Sequence, residues 1–267
     1  MALDLELPSA LSSDFDFQVF ICLLGQFRLL KEKIPLILRA GGKAETLLGL
    51  LALRHNLGIG RETLLHSLWP EVSLAQASQS LNSLIYNLNR NVGVRNGIPL
   101  VSHTEGQYHL NSNVGLGLDI VSFEDLVTLG DRAFERQDAE TAIEFYTSAA
   151  ALYHGDLCIS NEVYAILERE RLRALYLTIL ARLAQYAFEH EHYKAGLAHA
   201  HRLVTCDPCR EDAHRLMMRC YVRQGMRAQA IRQFMVCAKI LHIEFDIAPE
   251  PETLELYDTI RSSPQRV

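Results

Sequence analysis

At 267 residues the chain is longer than one ordinary domain, so two domains are expected, each with a core of its own; its 49% apolar content is ordinary for a globular protein and too high for disorder. No run is long enough to span a bilayer, the most apolar stretch being Thr46 to Leu53, and the acidic start lacks the layout of a signal peptide, so a cytoplasmic protein without a membrane partner is expected. Six cysteines in a chain of this length are too sparse for a disulfide-stapled secreted fold, and reduced thiols are expected. The net charge of −6 is unevenly distributed: residues 1–14 hold three acids and no base, residues 15–118 nine Lys/Arg against six Asp/Glu, and residues 119–267 seventeen against twenty-three. A middle segment more basic than its flanks is compatible with a phosphate-facing surface, though +3 is a weak field.

In chain order, residues 1–14 read as a disordered leader because nothing in them is periodic. Short apolar runs broken by Gly25 and by Lys31-Glu32-Lys33 predict antiparallel strands at Phe17–Leu23, Phe27–Leu30 and Ile34–Ile37. Three helices follow. Lys43–Arg54 carries a broad leucine face, and Gly58-Ile59-Gly60 ends it. Arg61–Leu68 is short and stops at Trp69-Pro70, since a proline disfavours helix in the residue before it. Ser73–Val92 is long and amphipathic, with Ala77, Leu81, Leu84, Ile85, Leu88 and Val92 on one side. Leu100–Ser102 and Gln107–Leu110 then flank His103-Thr104-Glu105-Gly106 as a hairpin closed at Gly106. Strands, three helices and a terminal hairpin in this order describe a winged helix-turn-helix over residues 15–118.

From Phe123 the text is all helix, and it repeats. With Ala142, Gly196 and Ala230 aligned, Gly130, Ala184 and Met218 lie twelve residues earlier, and Ala149, Leu203 and Cys237 seven residues later. Gly196 and Ala230 are 34 apart, the period of a tetratricopeptide (TPR) hairpin. The first gap is longer, which Ala151–Arg171 accounts for as inserted helix, and Pro251–Ile260 is expected to cap the stack. The fold class is therefore mainly α: a winged helix-turn-helix with small antiparallel β elements, then a TPR-like repeat domain over residues 119–267, whose stacked hairpins offer a partner-binding surface.

Four stretches resemble the antibiotic regulatory proteins of actinobacteria. Leu23-Leu24-Gly25-Gln26-Phe27-Arg28 is similar to that family's opening strand motif, and Arg61-Glu62-Thr63-Leu64-Leu65 with Leu68-Trp69-Pro70 to its second-helix signature. Asp119-Ile120-Val121-Ser122-Phe123 matches its usual junction, and Ile247-Ala248-Pro249-Glu250-Pro251-Glu252-Thr253-Leu254 is similar to the tail of its bacterial transcriptional activator domain. The resemblance implies an OmpR-type winged helix that binds double-stranded DNA near promoters. It also implies a TPR-like activation domain that contacts RNA polymerase subunits, another regulator or a sister subunit in a homodimer. One departure stands out: the family frequently has arginines where this chain has Ser78, Asn87 and Asn89.

With the apolar side of Ser73–Val92 facing the core, the opposite arc displays Gln79, Asn82, Ser83, Tyr86 and Arg90. Gln and Asn can pair with adenine, and Arg with guanine or a phosphate. Lys43 and Arg61, at the starts of the first two helices, are candidate phosphate contacts, and Thr104 at the hairpin tip is a candidate groove or backbone contact. The function expected is that of a sequence-specific DNA-binding transcriptional regulator, an activator without enzymatic chemistry or cofactor. The alternative is a TPR interaction scaffold whose winged domain has lost DNA binding. Cys206 and Cys209, with His201 and His214, form a ligand set that zinc would accept, but an isolated CxxC at a repeat turn is read as structural, and no metal is expected. Gly41-Gly42-Lys43 lacks the upstream glycine and the following Ser/Thr of a phosphate loop.

Overall fold

The computed structural model describes residues 17–38, 42–92, 97–159 and 163–266, so the expected leader at 1–14 lies outside the described residues. The chain divides into two units, Met1–Leu126 with Ala151–Leu172, and Val127–Ala150 with Arg173–Val267.

The first unit opens on a four-stranded sheet of order β3-β2-β1-β7, made of β1 (Val19–Cys22), β2 (Arg28–Lys31), β3 (Ile34–Leu36) and β7 (Leu116–Leu118). Every residue of β1 is buried, as befits a central strand covered on both faces. The first three strands pair antiparallel, as the sequence predicts. β7 does not follow from the sequence pattern, and it runs parallel to β1. It carries a glycine at its centre because a Cβ on Gly117 would fall 2.4 Å from the Phe20 ring and 2.7 Å from that of Phe17. The charged break at Lys31-Glu32-Lys33 is a two-residue turn in which Glu32 and Lys33 both take positive φ.

Three helices follow: α1 (Lys43–Leu53), α2 (Arg61–Leu68) and α3 (Leu74–Val92). Leu47 through Leu53 of α1 are all buried, so this helix is apolar on every side and occupies the core of its unit. Gly49 admits Ile159, whose Cδ1 would lie 3.0 Å from a Cβ there. Ala151–Arg171, expected as inserted helix, is not continuous helix: Leu157 forms a β-bridge to Leu24, and the next helix begins at Val163. The bridge exists because Gly25 and Gly155 let the two backbones approach within 3.1 Å of a Cβ position, and Arg169 holds the Leu157 and Ile159 carbonyls at 3.1 and 2.7 Å.

The wing is a second sheet of order β4-β6-β5, with β4 at Ile59–Gly60, β5 at Val101–Thr104 and β6 at Gln107–Leu110. His103 and Thr104, expected in the turn, belong to β5 and pair with Tyr108 and Gln107. The turn is only Glu105-Gly106, both with positive φ, the twist that a two-residue hairpin loop requires. Ile59 and Gly60, expected only as a helix break, pair with Tyr108 and Gln107. Asn89 fastens the wing to α3: its Nδ2 donates to the Val101 carbonyl at 3.0 Å, and its Oδ1 accepts from the Val101 N–H at 2.9 Å.

Asp119 opens α4 (Asp119–Glu135) and is almost fully buried. One carboxylate oxygen accepts the N–H groups of Leu23 and Leu24 at 2.7 and 2.8 Å, which fixes the end of β1. The other oxygen is buried with no hydrogen-bond partner among the described residues. Burial pushes this carboxyl up to about 6, against the opposing pull of the N–H donors from Leu24, Leu23 and Ile120.

The second unit takes α4 from Val127, α5 (Ala139–Leu152) to Ala150, α6 (Val163–Glu189) from Arg173, and the helices α7 (Tyr193–Cys206), α8 (Glu211–Arg223), α9 (Arg227–Phe245) and α10 (Pro251–Ser262), which follow one another as helical hairpins. All nine positions aligned in the repeat are buried. The small ones have steric reasons. A Cβ on Gly130 would lie 2.5 Å from the Tyr146 ring, and one on Gly196 would lie 3.3 Å from both the Ala184 carbonyl and Cys220 Sγ. Ala184, Ala200, Leu216, Met217 and Cys220 form one core cluster, and Met218, Ala230 and Ile260 another. Phe234 and Tyr257 stack at 3.9 Å beside the second.

Because folding raises the Asp119 pKa from 3.8 to about 6, the fold prefers the neutral acid. Its contribution is fully present below pH 3.8 and is lost as pH rises through about 6, by roughly 3 kcal/mol. Urea unfolding of the protein and of Asp119→Asn across this window should show a stability difference that falls with pH; a difference that stays flat or rises would contradict the assignment. Asn89→Ala leaves both polar groups of buried Val101 unpaired and should cost about 1–3 kcal/mol in the same assay. A loss under about 0.5 kcal/mol would mean that water replaces the amide without penalty.

Candidate nucleic-acid interface

α3 separates its two faces cleanly. Ala77, Leu81, Leu88 and Val92 are buried, while Leu84 and Ile85, expected in the core, are half-buried at its edge. Gln79, Asn82, Ser83, Tyr86 and Arg90 are all exposed. At 1.5 Å rise per residue this stripe runs about 16 Å along the helix, a length that fits within a DNA major groove. Tyr86 is 65% exposed, an aromatic ring held out of the core on the same stripe as four hydrogen-bonding side chains.

Arg61 is half-buried and joins three elements. Its Nη1 donates to the hydroxyl of Tyr108 on β6. Its Nη2 donates to the Ser78 carbonyl at 3.3 Å and to Asn82 Oδ1 at 3.1 Å, both on α3. The local fold explains this reach: pairing of Gly60 with Gln107 sets the first residue of α2 beside the wing. Tyr108 is itself buried, with its ring 4.4 Å from that of His103. Arg61 has no carboxylate partner among the described residues, so its positive charge is held by neutral acceptors. Lys43 is exposed as the first residue of α1, after Gly42, which supplies no side-chain cap. Thr104 is exposed as the last paired residue before the hairpin turn.

Of the residues singled out by sequence, the structure thus brings Arg61 and Asn82 into direct contact and sets Gln79, Ser83, Tyr86 and Arg90 along the same exposed stripe. Two residues that shape this surface, Asn89 and Tyr108, had no role assigned from sequence. Asn89 carries a faint signal, a polar residue on the half-buried flank of an amphipathic helix. Tyr108 carries none, since an inward-facing strand residue reads as core.

Of the cysteine and histidine set, His214 has both ring nitrogens engaged by groups other than its fellow candidates. His214 Nε2 lies 2.9 Å from the Pro208 carbonyl, to which it donates, and Nδ1 accepts from the Gln233 amide at 2.7 Å. Burial lowers its pKa, in keeping with a neutral ring whose two nitrogens are both engaged. Among the described residues no three His, Cys, Asp or Glu side chains converge as metal ligands, and no helix is long and apolar enough to cross a membrane.

Residues 118–261 match the family model of the bacterial transcriptional activator domain, more than half of the chain. The regulatory protein AfsR of Streptomyces coelicolor is 24% identical over 215 residues, covering 80% of this chain and 21% of that protein. The chain therefore spans about a fifth of that relative's length. Mycobacterium tuberculosis EmbR, solved in complex with a low-affinity phosphopeptide, superposes with a TM-score of 0.72 at 20% identity, covering 91% of this chain and 65% of that one. That likeness shows the fold, a winged helix with a TPR-like helical half. By its matched domain, which covers more than half of its length, this chain belongs to the bacterial transcriptional activator domain family.

Proposed function

We propose that this protein is a sequence-specific DNA-binding regulator that activates transcription from the cytoplasm. The observation that carries the reading is the exposed stripe of Gln79, Asn82, Ser83, Tyr86 and Arg90 on a helix to which the wing is directly bonded. In this reading residues 15–118 bind double-stranded DNA, and residues 119–267 contact RNA polymerase subunits or another regulator. α3 enters the major groove. Gln79 pairs with a base edge, Ser83 and Tyr86 touch base or sugar edges, and Arg90 takes a guanine or a phosphate. Lys43 and Thr104 grip the backbone on either side, fixing register without reading sequence.

With three positive charges of excess over residues 15–118, affinity from counterion release is modest. A homodimer on paired half-sites, or polymerase contacts through the helical half, would supply the remainder. Electrophoretic mobility of a mixed-sequence duplex over a salt series tests the proposal. Binding should weaken with salt, and Arg90→Ala combined with Lys43→Ala should flatten the log–log slope by about 1 to 2. Absence of any shift at low salt would leave the protein as an interaction scaffold.

A further inference from the structure

Asn82 stands on the proposed reading face, and Arg61 fixes which way its amide points. A guanidinium has five N–H donors and no acceptor, so the Asn82 atom facing it at 3.1 Å has to be Oδ1. Turned the other way, the amide would set N–H against N–H. Arg61 itself has little freedom to move aside. The same Nη2 also donates to the Ser78 carbonyl, one turn back on α3, and Nη1 is bonded to Tyr108. Asn82 Nδ2 has no hydrogen-bond partner among the described residues, and the side chain is exposed.

An asparagine that is free to rotate pairs with adenine in the major groove by offering one donor and one acceptor at once, to N7 and to the N6 amino group. Here the acceptor is already bonded to Arg61, which leaves the Nδ2 donors facing away from it. We infer that Arg61 makes Asn82 a donor-only reader, so that it selects a base edge presenting acceptors, guanine first through O6 and N7 and thymine second through O4, and disfavours cytosine and adenine. Arg61 is then a positioning residue acting through Asn82, and it sets specificity rather than contacting a phosphate. This inference rests on the DNA-binding reading above.

Selection of bound sequences from a random duplex pool by the full chain, followed by sequencing, provides the test. The wild-type motif should hold one position of guanine or thymine that depends on Asn82. Asn82→Asp keeps the bond to Arg61 but presents only acceptors, so that position alone should switch to cytosine or adenine, with discrimination of about tenfold or more. Arg61→Ala releases the amide and should admit adenine at the same position while leaving the salt slope of binding unchanged. An adenine at the Asn82-dependent position in wild type overturns the inference, as does a motif that Asn82→Asp leaves untouched. A fall of about one in the salt slope of Arg61→Ala overturns it too, because it marks a lost phosphate contact. If Arg61→Ala does not fold, Asn82→Asp decides alone. Capture of duplex without any motif sinks this inference and spares DNA binding; failure to capture duplex at all sinks the DNA-binding reading itself.

Discussion

A two-stranded hairpin has little stability of its own, and the wing of this protein gains only the two residues of β4 as a third strand. Its orientation against α3 therefore depends on side-chain bonds: the paired bonds between Asn89 and the Val101 backbone, and the Arg61 fork spanning Tyr108, Ser78 and Asn82. Each is worth on the order of 1 kcal/mol net, which is small against the core packing of α1. Their importance lies in direction rather than depth. Burial of Val101, Tyr108 and Leu110 keeps the hairpin in place, but nonpolar contact alone leaves it free to slide and rotate. The polar bonds remove that freedom, and a reading surface has to be held within a fraction of an ångström to discriminate anything.

Much of this architecture is written in punctuation. Gly60 and Pro70 bracket α2, and the helix runs over Arg61–Leu68 as those residues dictate. The repeat in the second unit is legible because close helix approach tolerates only small residues at fixed intervals, and Gly130 and Gly196 meet the neighbours that such a rule demands. β4 and β7 escape a sequence reading for a definite reason: the two residues of β4 have no period to detect, and β7 is broken at its centre by a glycine. The central Gly117 of β7 reads as a loop, although its smallness is required by two phenylalanine rings. The segment before Val163 misleads in the opposite sense, since its spacing satisfies a helix while its one glycine, Gly155, meets Gly25 beside a backbone bridge to Leu24. Long-range polar contacts are the least legible. Asp119 reaches back 96 residues to Leu23, and nothing local marks it as more than a helix start.

The tail motif shows how a short local signature can be enforced from a distance. Pro251 suits the first turn of α10, where its missing N–H costs nothing. The residue before it, Glu250, has its N–H bound by both oxygens of the buried Glu211 carboxylate on α8, at 3.1 and 2.9 Å. Arg215, one turn along from Glu211, bonds the Glu250 carboxylate at 2.7 Å and the hydroxyl of fully buried Thr253 at 2.9 Å. At the far end Arg227 donates to the carbonyls of Ile260 and Arg261, closing the last turn of the helix. Bound at both ends, α10 packs Ile260 against Met218 and Ala230 of the preceding hairpin.

The scarcity of arginine on α3 has a consequence for how such a surface discriminates. Asn89 is committed to holding the wing, and the exposed stripe is rich in amides and hydroxyls with one cation, Arg90. Phosphate-binding arginines raise specific and non-specific affinity together, because every duplex carries the same backbone charge. Amides aimed at base edges raise only the specific part. Exchanging the former for the latter lowers binding everywhere but lowers it most on wrong sequences, so the ratio that matters among many competing sites improves while the absolute affinity of one protomer falls. Under the proposed DNA-binding function, such a surface would draw on a second source of binding energy, and linking sites through a partner would supply it by effective concentration without adding any charge to the reading face.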